Sequence, residues 1–302
     1  MMMTRYFRHE YMNVESFLAI NDAEAIFDQK DSADGKIITL FSFEKISQAE
    51  IKNHFIKLNS EKLIIVVPKR MINEVKALRD YEILKEIRNN QAFIQGNEVL
   101  QREIPLLEED LVKTVEDELE SIYSPDETKI YYLTEGKVNV GSQKQEENAV
   151  NICCENLYPK TPIINNEMIN RVVISTAQTK KARLNIIDAI IQKNDTEDFY
   201  SGTNQEATVY RSVFCQTGLI RNGTDSNLGE IIEKLNTFVD SCSDNKMSFS
   251  NIIKKLTKAP YGMRLGVIPL LLAKVLSERG EDLVAYFANM EVPITPEIIV
   301  NM

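Results

Sequence analysis

Asp126, Glu127 and Lys129, within PDETK (125–129), are the residue types of a metal-dependent nuclease, in which carboxylates hold a divalent ion and a lysine assists the attacking water. Here they are crowded into one turn leading into an apolar segment. They cannot all face one ion, so the stretch reads as a polar connection from a helix into a strand. The two histidines, His9 and His54, lack a partner at metal-ligand or nucleophile and base spacing. Gly218 to Gly223 has the glycine spacing of a phosphate-binding loop, but Thr224 stands where the phosphate-gripping lysine is needed. Gly218 reads instead as a helix C-cap. No GxSxG, H-E-x-x-H or dinucleotide fingerprint occurs, and Cys153, Cys154, Cys215 and Cys242 contain no C-x-x-C pair, so they read as reduced and structural. On these grounds the chain alone is not expected to be an enzyme, and no catalytic residue, metal or cofactor is assigned to it.

Recognition chemistry is better represented. Residues 246–274 hold Lys246, Lys254, Lys255, Lys258, Arg264 and Lys274 with no Asp or Glu, in a chain of net charge -10. Lys254, Lys255, Lys258 and Arg264 are the expected contact residues for a nucleic acid or another partner, against the plainer alternative of solvated lysine tips on packed helices. From Gly262 onward the stretch is too densely apolar for one amphipathic face and reads as core. In TPIINNEMINR (161–171), Asn165, Asn166 and Arg171 form a second candidate, a recognition edge at a helix start. Capping by an asparagine and a helical Glu167–Arg171 ion pair are the competing explanation. Between residues 103 and 120, eight acids face only Lys113, which reads as a solvated acidic helix face.

The elements that must position these residues divide the 302-residue chain in two. KIITLFSF (36–43), a helix capped by Ser47 with Glu50, and LIIVVP (63–68) make a βαβ unit with parallel strands. Further helices start near Met71 and run through Leu107 to Ile122, and KIYYLTEGKV (129–138) reads as a third strand. The expected architecture is α+β and mostly helical: an N-terminal extension (1–35), a small α/β domain (36–136), a linker (137–148) and a helical domain (149–302). Its helices are expected near 145–156, 165–193, 204–217, 228–240, 248–257 and 267–278. LVAYF (283–287) and EVPI (291–294) then form a hairpin, either winged-helix-like or packed as a lid on the helical core, with Asn289 in a left-handed turn conformation. Thr295-Pro296-Glu297 starts a last helix near the end of the chain, and a longer parent protein is expected. Charged residues break the first 25 positions, and no long apolar run occurs, so a cytoplasmic location away from membranes is expected.

With these segments in order, the chain resembles the region downstream of the nucleotide-binding core in the P-loop ATPases of BREX (phage exclusion) bacterial defence systems. The resemblance lies in YPKTPIINNEMINR (158–171), ATVYRSVFCQTGL (207–219), KAPYGMRLGVIPLLLAKVL (258–276) and LVAYFANMEVPITPEII (283–299), with LIIVVPK (63–69) upstream. It implies a noncatalytic portion of a phage-defence ATPase, used for assembly and for contact with DNA or with other defence components, self-association included. ATP and Mg are implied only for the parent protein, because the Walker A segment is not in this sequence. A stand-alone nucleic-acid-binding module is the alternative expectation.

Overall fold

A computed structural model describes residues 5–27, 33–45, 47–72, 75–220, 226–243, 245–280 and 283–301. The chain divides into two compact units, Tyr6–Asn156 and a helical unit made of Leu157–Met302 with Met1–Arg5. The fold is α+β and mostly helical, as the sequence predicts.

The first unit is built on a five-stranded sheet whose strands lie side by side in chain order: β1 (Phe7–Asn13), β2 (Gly35–Phe41), β3 (Leu63–Pro68), β4 (Thr128–Thr134) and β5 (Lys137–Gly141). β1, β2 and β3 are parallel, as expected for 36–43 and 63–68, while β4 and β5 run antiparallel. Continuous apolar runs in β2 and β3 suit central strands covered on both faces, and Ile37, Ile38, Ile64 and Ile65 are all buried. One face packs against α1 (Val14–Leu18), a 3-10 turn at Ala23–Ile26 and α2 (Gln48–Leu58), through Phe17, Ile51 and Phe55. Ser47 caps α2 by accepting the Glu50 amide, as its spacing predicts.

Between β3 and β4 stand α3 (Lys76–Asn89), α4 (Gln91–Ile94) and α5 (Glu98–Ile122). The expected extension, domain and linker boundaries do not describe this unit. Residues 7–26 supply the edge strand β1 and its covering turns, and 137–148 form β5 and lead into α6 (Glu146–Leu157). The predicted strand at 129–138 is instead a hairpin, turning at Glu135 and Gly136, both with positive φ.

Burial, then the neighbouring Cys154 and Glu61, pushes the Cys153 thiol of α6 up to about 12. Thiolate is the reactive form, and it appears only as pH rises toward that value. At pH 8, iodoacetamide is therefore expected to leave Cys153 unmodified in the folded chain and to alkylate it in urea, as read by peptide mass spectrometry. Equal labelling in both states would contradict its burial as a protonated thiol.

The helical unit contains α7 (Ala177–Ile191), α8 (Glu197–Ser201) and α9 (Gln205–Tyr210), which continues as a π-helical turn through Cys215, then α10 (Ser226–Asp240), α11 (Phe249–Thr257) and α12 (Ile268–Arg279). Hairpin β6 (Ala285–Phe287) and β7 (Met290–Val292) and helix α13 (Pro296–Asn301) complete it. The predicted helix at 165–193 exists only from Ala177. α12 is the centre of the core, with eight buried residues and Pro269 in its first turn. The short α13 is held by the burial of Ile299 and by packing against α7 and α12. Among the described residues, no helix is long and apolar enough to cross a membrane.

Candidate contact surface of the helical unit

The charge of the chain is unevenly shared. Tyr6–Asn156 carries 18 Lys and Arg against 29 Asp and Glu, whereas the helical unit carries 17 against 16. The acidity that argues against polyanion binding thus belongs to the sheet unit.

In α11 the apolar positions Ile252 and Leu256 are four apart and both buried, which turns Lys254 and Lys255 outward. Lys258, the C-cap residue, is also exposed. Three positive side chains at a helix C-terminus complement the partial negative charge of its free carbonyls. Among the described residues, none of the three forms an ion pair, in contrast to their neighbours. Lys160 and Lys234 both reach Glu230, at 2.9 and 3.7 Å, and the Tyr261 hydroxyl donates to the same carboxylate at 2.7 Å. Hydrogen bonds from Tyr261 and then Lys160 hold the Glu230 carboxyl below the usual carboxylate range.

The six basic residues of 246–274 do not converge. Lys246 sits 3.4 Å from the centroid of the Tyr286 ring on the hairpin, and Lys274 pairs with Asp195 at 3.6 Å. Arg264 is buried, which removes it from the expected contact face. The cause is the chain turn after α11: the Tyr261 and Gly262 amides return to Lys258 O, drawing Tyr261, Gly262, Met263 and Arg264 inward.

The expected recognition edge separates in the same way. Asn166 is buried, its Oδ1 accepting the Met168 and Ile169 amides and its Nδ2 donating to Ser212 Oγ at 3.4 Å. It caps a turn and cannot read a partner. Asn165 and Arg171 are exposed, and Arg171 Nε donates to the Glu167 carbonyl instead of its carboxylate. The cap therefore belongs to a turn and not to a helix start.

Segments 158–171 and 258–276 meet here. Lys160 N donates to Pro260 O at 3.1 Å, Gly266 N donates to Arg171 O at 3.2 Å, and Arg5 donates to both Thr161 Oγ1 and Gly262 O while lying over the Tyr158 ring. Arg5 carries no sequence signal for this role, being remote in sequence from every partner. A second tie is equally silent in sequence: Tyr210 donates its buried hydroxyl to Asp195 Oδ2 at 2.6 Å, and the Lys274 ammonium pairs with the same oxygen at 3.6 Å. Burial first, then the hydrogen bond to Asp195, pushes the Tyr210 hydroxyl up.

The hairpin forms with Ala288 and Asn289 both at positive φ, as predicted for Asn289. Phe287 and Met290 beside the turn are more than half exposed. A winged helix presents the helix before its wing to the DNA groove. Here that helix is α12, and eight of its residues are buried.

Elsewhere the chemistry-bearing residues are dispersed. In the sheet unit Glu127 lies near Lys69 and Arg70, Asp126 near Lys144, and Lys129 is exposed on β4, which makes PDETK a polar connection. His9 bonds Glu146, and His54 packs edge-on against Phe17. Gly218 takes positive φ, as a C-cap requires, whereas Gly223 and Thr224 lie outside the described residues. Among the described residues, no three His, Cys, Asp or Glu side chains are grouped to hold a metal ion. No protein-family model, curated protein or solved structure matches the chain.

Proposed function

We propose that the chain is a noncatalytic contact module of a cytoplasmic phage-defence ATPase, and that its helical unit touches nucleic-acid phosphates through Lys254, Lys255 and Lys258. The observation that carries the contact is that, among the described residues, these three exposed lysines form no ion pair, on a unit relieved of the chain's net acidity. A phosphate backbone supplies the missing anions without requiring base readout. The defence context rests on the resemblance in 158–171, 207–219, 258–276 and 283–299. ATP and Mg belong to the parent protein in this reading.

Binding of a fluorescent DNA duplex at increasing salt tests the contact. Three phosphate contacts give a slope of log affinity against log salt of about -2 to -3. Replacing Lys254, Lys255 and Lys258 together with alanine is expected to abolish most of that slope while leaving the fold intact, because all three side chains are exposed. An absent or salt-independent interaction sinks the proposal.

A further inference from the structure

The strongest unpartnered surface lies on the other unit. α3 and α5 pack against each other, and two contacts fix their antiparallel alignment: the Arg88–Glu108 ion pair and the Ala77 amide donating to Glu118. This alignment places Ile83 and Ile87 alongside the 106–113 segment of α5. The buried positions of the pair are Ala77 and Leu84 on α3 and Ile104 and Ile122 on α5. Counting about 100° per residue from Leu84 and Ile104, Ile83 and Ile87 fall on the same side of the pair as Leu107, whereas Leu106 faces away from Ile104. Ile83, Ile87 and Leu107 are exposed, at 56%, 36% and 50%, so the pair buries one apolar stripe and leaves a second open to solvent.

That second stripe has a charged border. Glu103, Asp110 and Asp117 recur at seven-residue intervals on the same side of α5, and all are exposed. From Lys76 to Ile122 the segment holds 12 acids against 6 bases. Such a surface repels nucleic acid, and two copies of it would bring like charges together. What it complements is an apolar helix face bordered by Lys or Arg.

We propose that this face of α3 and α5 docks a basic amphipathic helix of a partner protein. Apolar contacts along Ile83, Ile87 and Leu107 supply the buried area, and the three border acids set orientation and partner choice. The site is separate from the lysines of α11, and its test is independent of theirs.

The probe is a synthetic amphipathic helix of about 21 residues, leucine-faced with lysine borders, compared with the same peptide bordered by glutamate. Fluorescence anisotropy on the full chain is expected to show binding of the lysine peptide alone. Ile83→Asp with Ile87→Asp, and separately Glu103→Lys with Asp110→Lys and Asp117→Lys, are each expected to weaken it by about tenfold or more. The second set changes only exposed side chains, so its result does not depend on whether the first set folds. Binding of neither peptide, or unchanged binding by the charge-reversed chain, overturns the proposal. Sedimentation showing a dimer that dissociates on Ile83→Asp would assign the face to a second copy and overturn it equally.

Discussion

Gly266→Ala is expected to destabilise the helical unit by about 3 kcal/mol or more, the range of severe overpacking. A Cβ at Gly266 would lie 2.1 Å from Ile169 O and 3.1 Å from the carbonyl carbon of the same residue. Backbone cannot swing aside as a side chain would, and this backbone is held on several sides. The Ile169 amide goes to Asn166 Oδ1, the Asn170 side chain donates to Ile164 O, and Arg171 O accepts the Gly266 amide. Relief would require moving the whole 164–171 turn away from α12. Gly229→Ala is the control of opposite sign, since nothing lies within 4 Å of its Cβ and it sits inside α10. There alanine is expected to add about 0.5–1 kcal/mol through helix propensity. Urea unfolding followed by circular dichroism measures both. An unchanged midpoint for Gly266→Ala would mean that the two segments do not approach as closely as described.

The same close approach explains part of what the sequence conceals. Asn165 to Arg171 has helix-like spacing, yet its backbone is folded into turns that fit against Gly266, a contact between residues about 100 positions apart that no local pattern records. Segments governed by local periodicity are legible: α10, α11 and α12 begin and end within two residues of expectation, because their apolar spacing and Ser or Pro signals are undisturbed. The β4–β5 turn is hidden for a different reason. Glu135 adopts φ 51, which non-glycine residues rarely do, so TEGKV reads as uninterrupted strand. For the contact surface, Lys254, Lys255 and Lys258 were readable from their offset to Ile252 and Leu256, whereas the burial of Arg264 depends on the turn at Lys258.

Edge strand β1 is the least legible element, and it provides the second large effect. FRHEYMN looks polar, yet its parallel pairing with β2 brings Glu10 Oε1 within 2.6 Å of the Lys36 ammonium. Lys36 is only 6% exposed, so the charge is carried inside a buried, mostly apolar strand. Glu10→Ala leaves that ammonium without its carboxylate. Removing one member of a fully buried pair costs about 3–5 kcal/mol. The Glu10 side chain retains about a third of its exposure, so water can partly replace it, and a loss of about 2–3 kcal/mol is expected. Lys36→Met removes the charge and keeps the chain length, so combining it with Glu10→Ala is expected to recover most of the loss. A double-mutant cycle in urea isolates the coupling, because the two residues contact each other directly. A Glu10→Ala cost below about 0.5 kcal/mol would place the pair among surface salt bridges and leave β1 held by its other contacts, among them the ladder hydrogen bonds, Phe7 and the His9–Glu146 bond. The larger cost would make an acidic residue in a polar-looking segment the reason that β1 belongs to the sheet in this register.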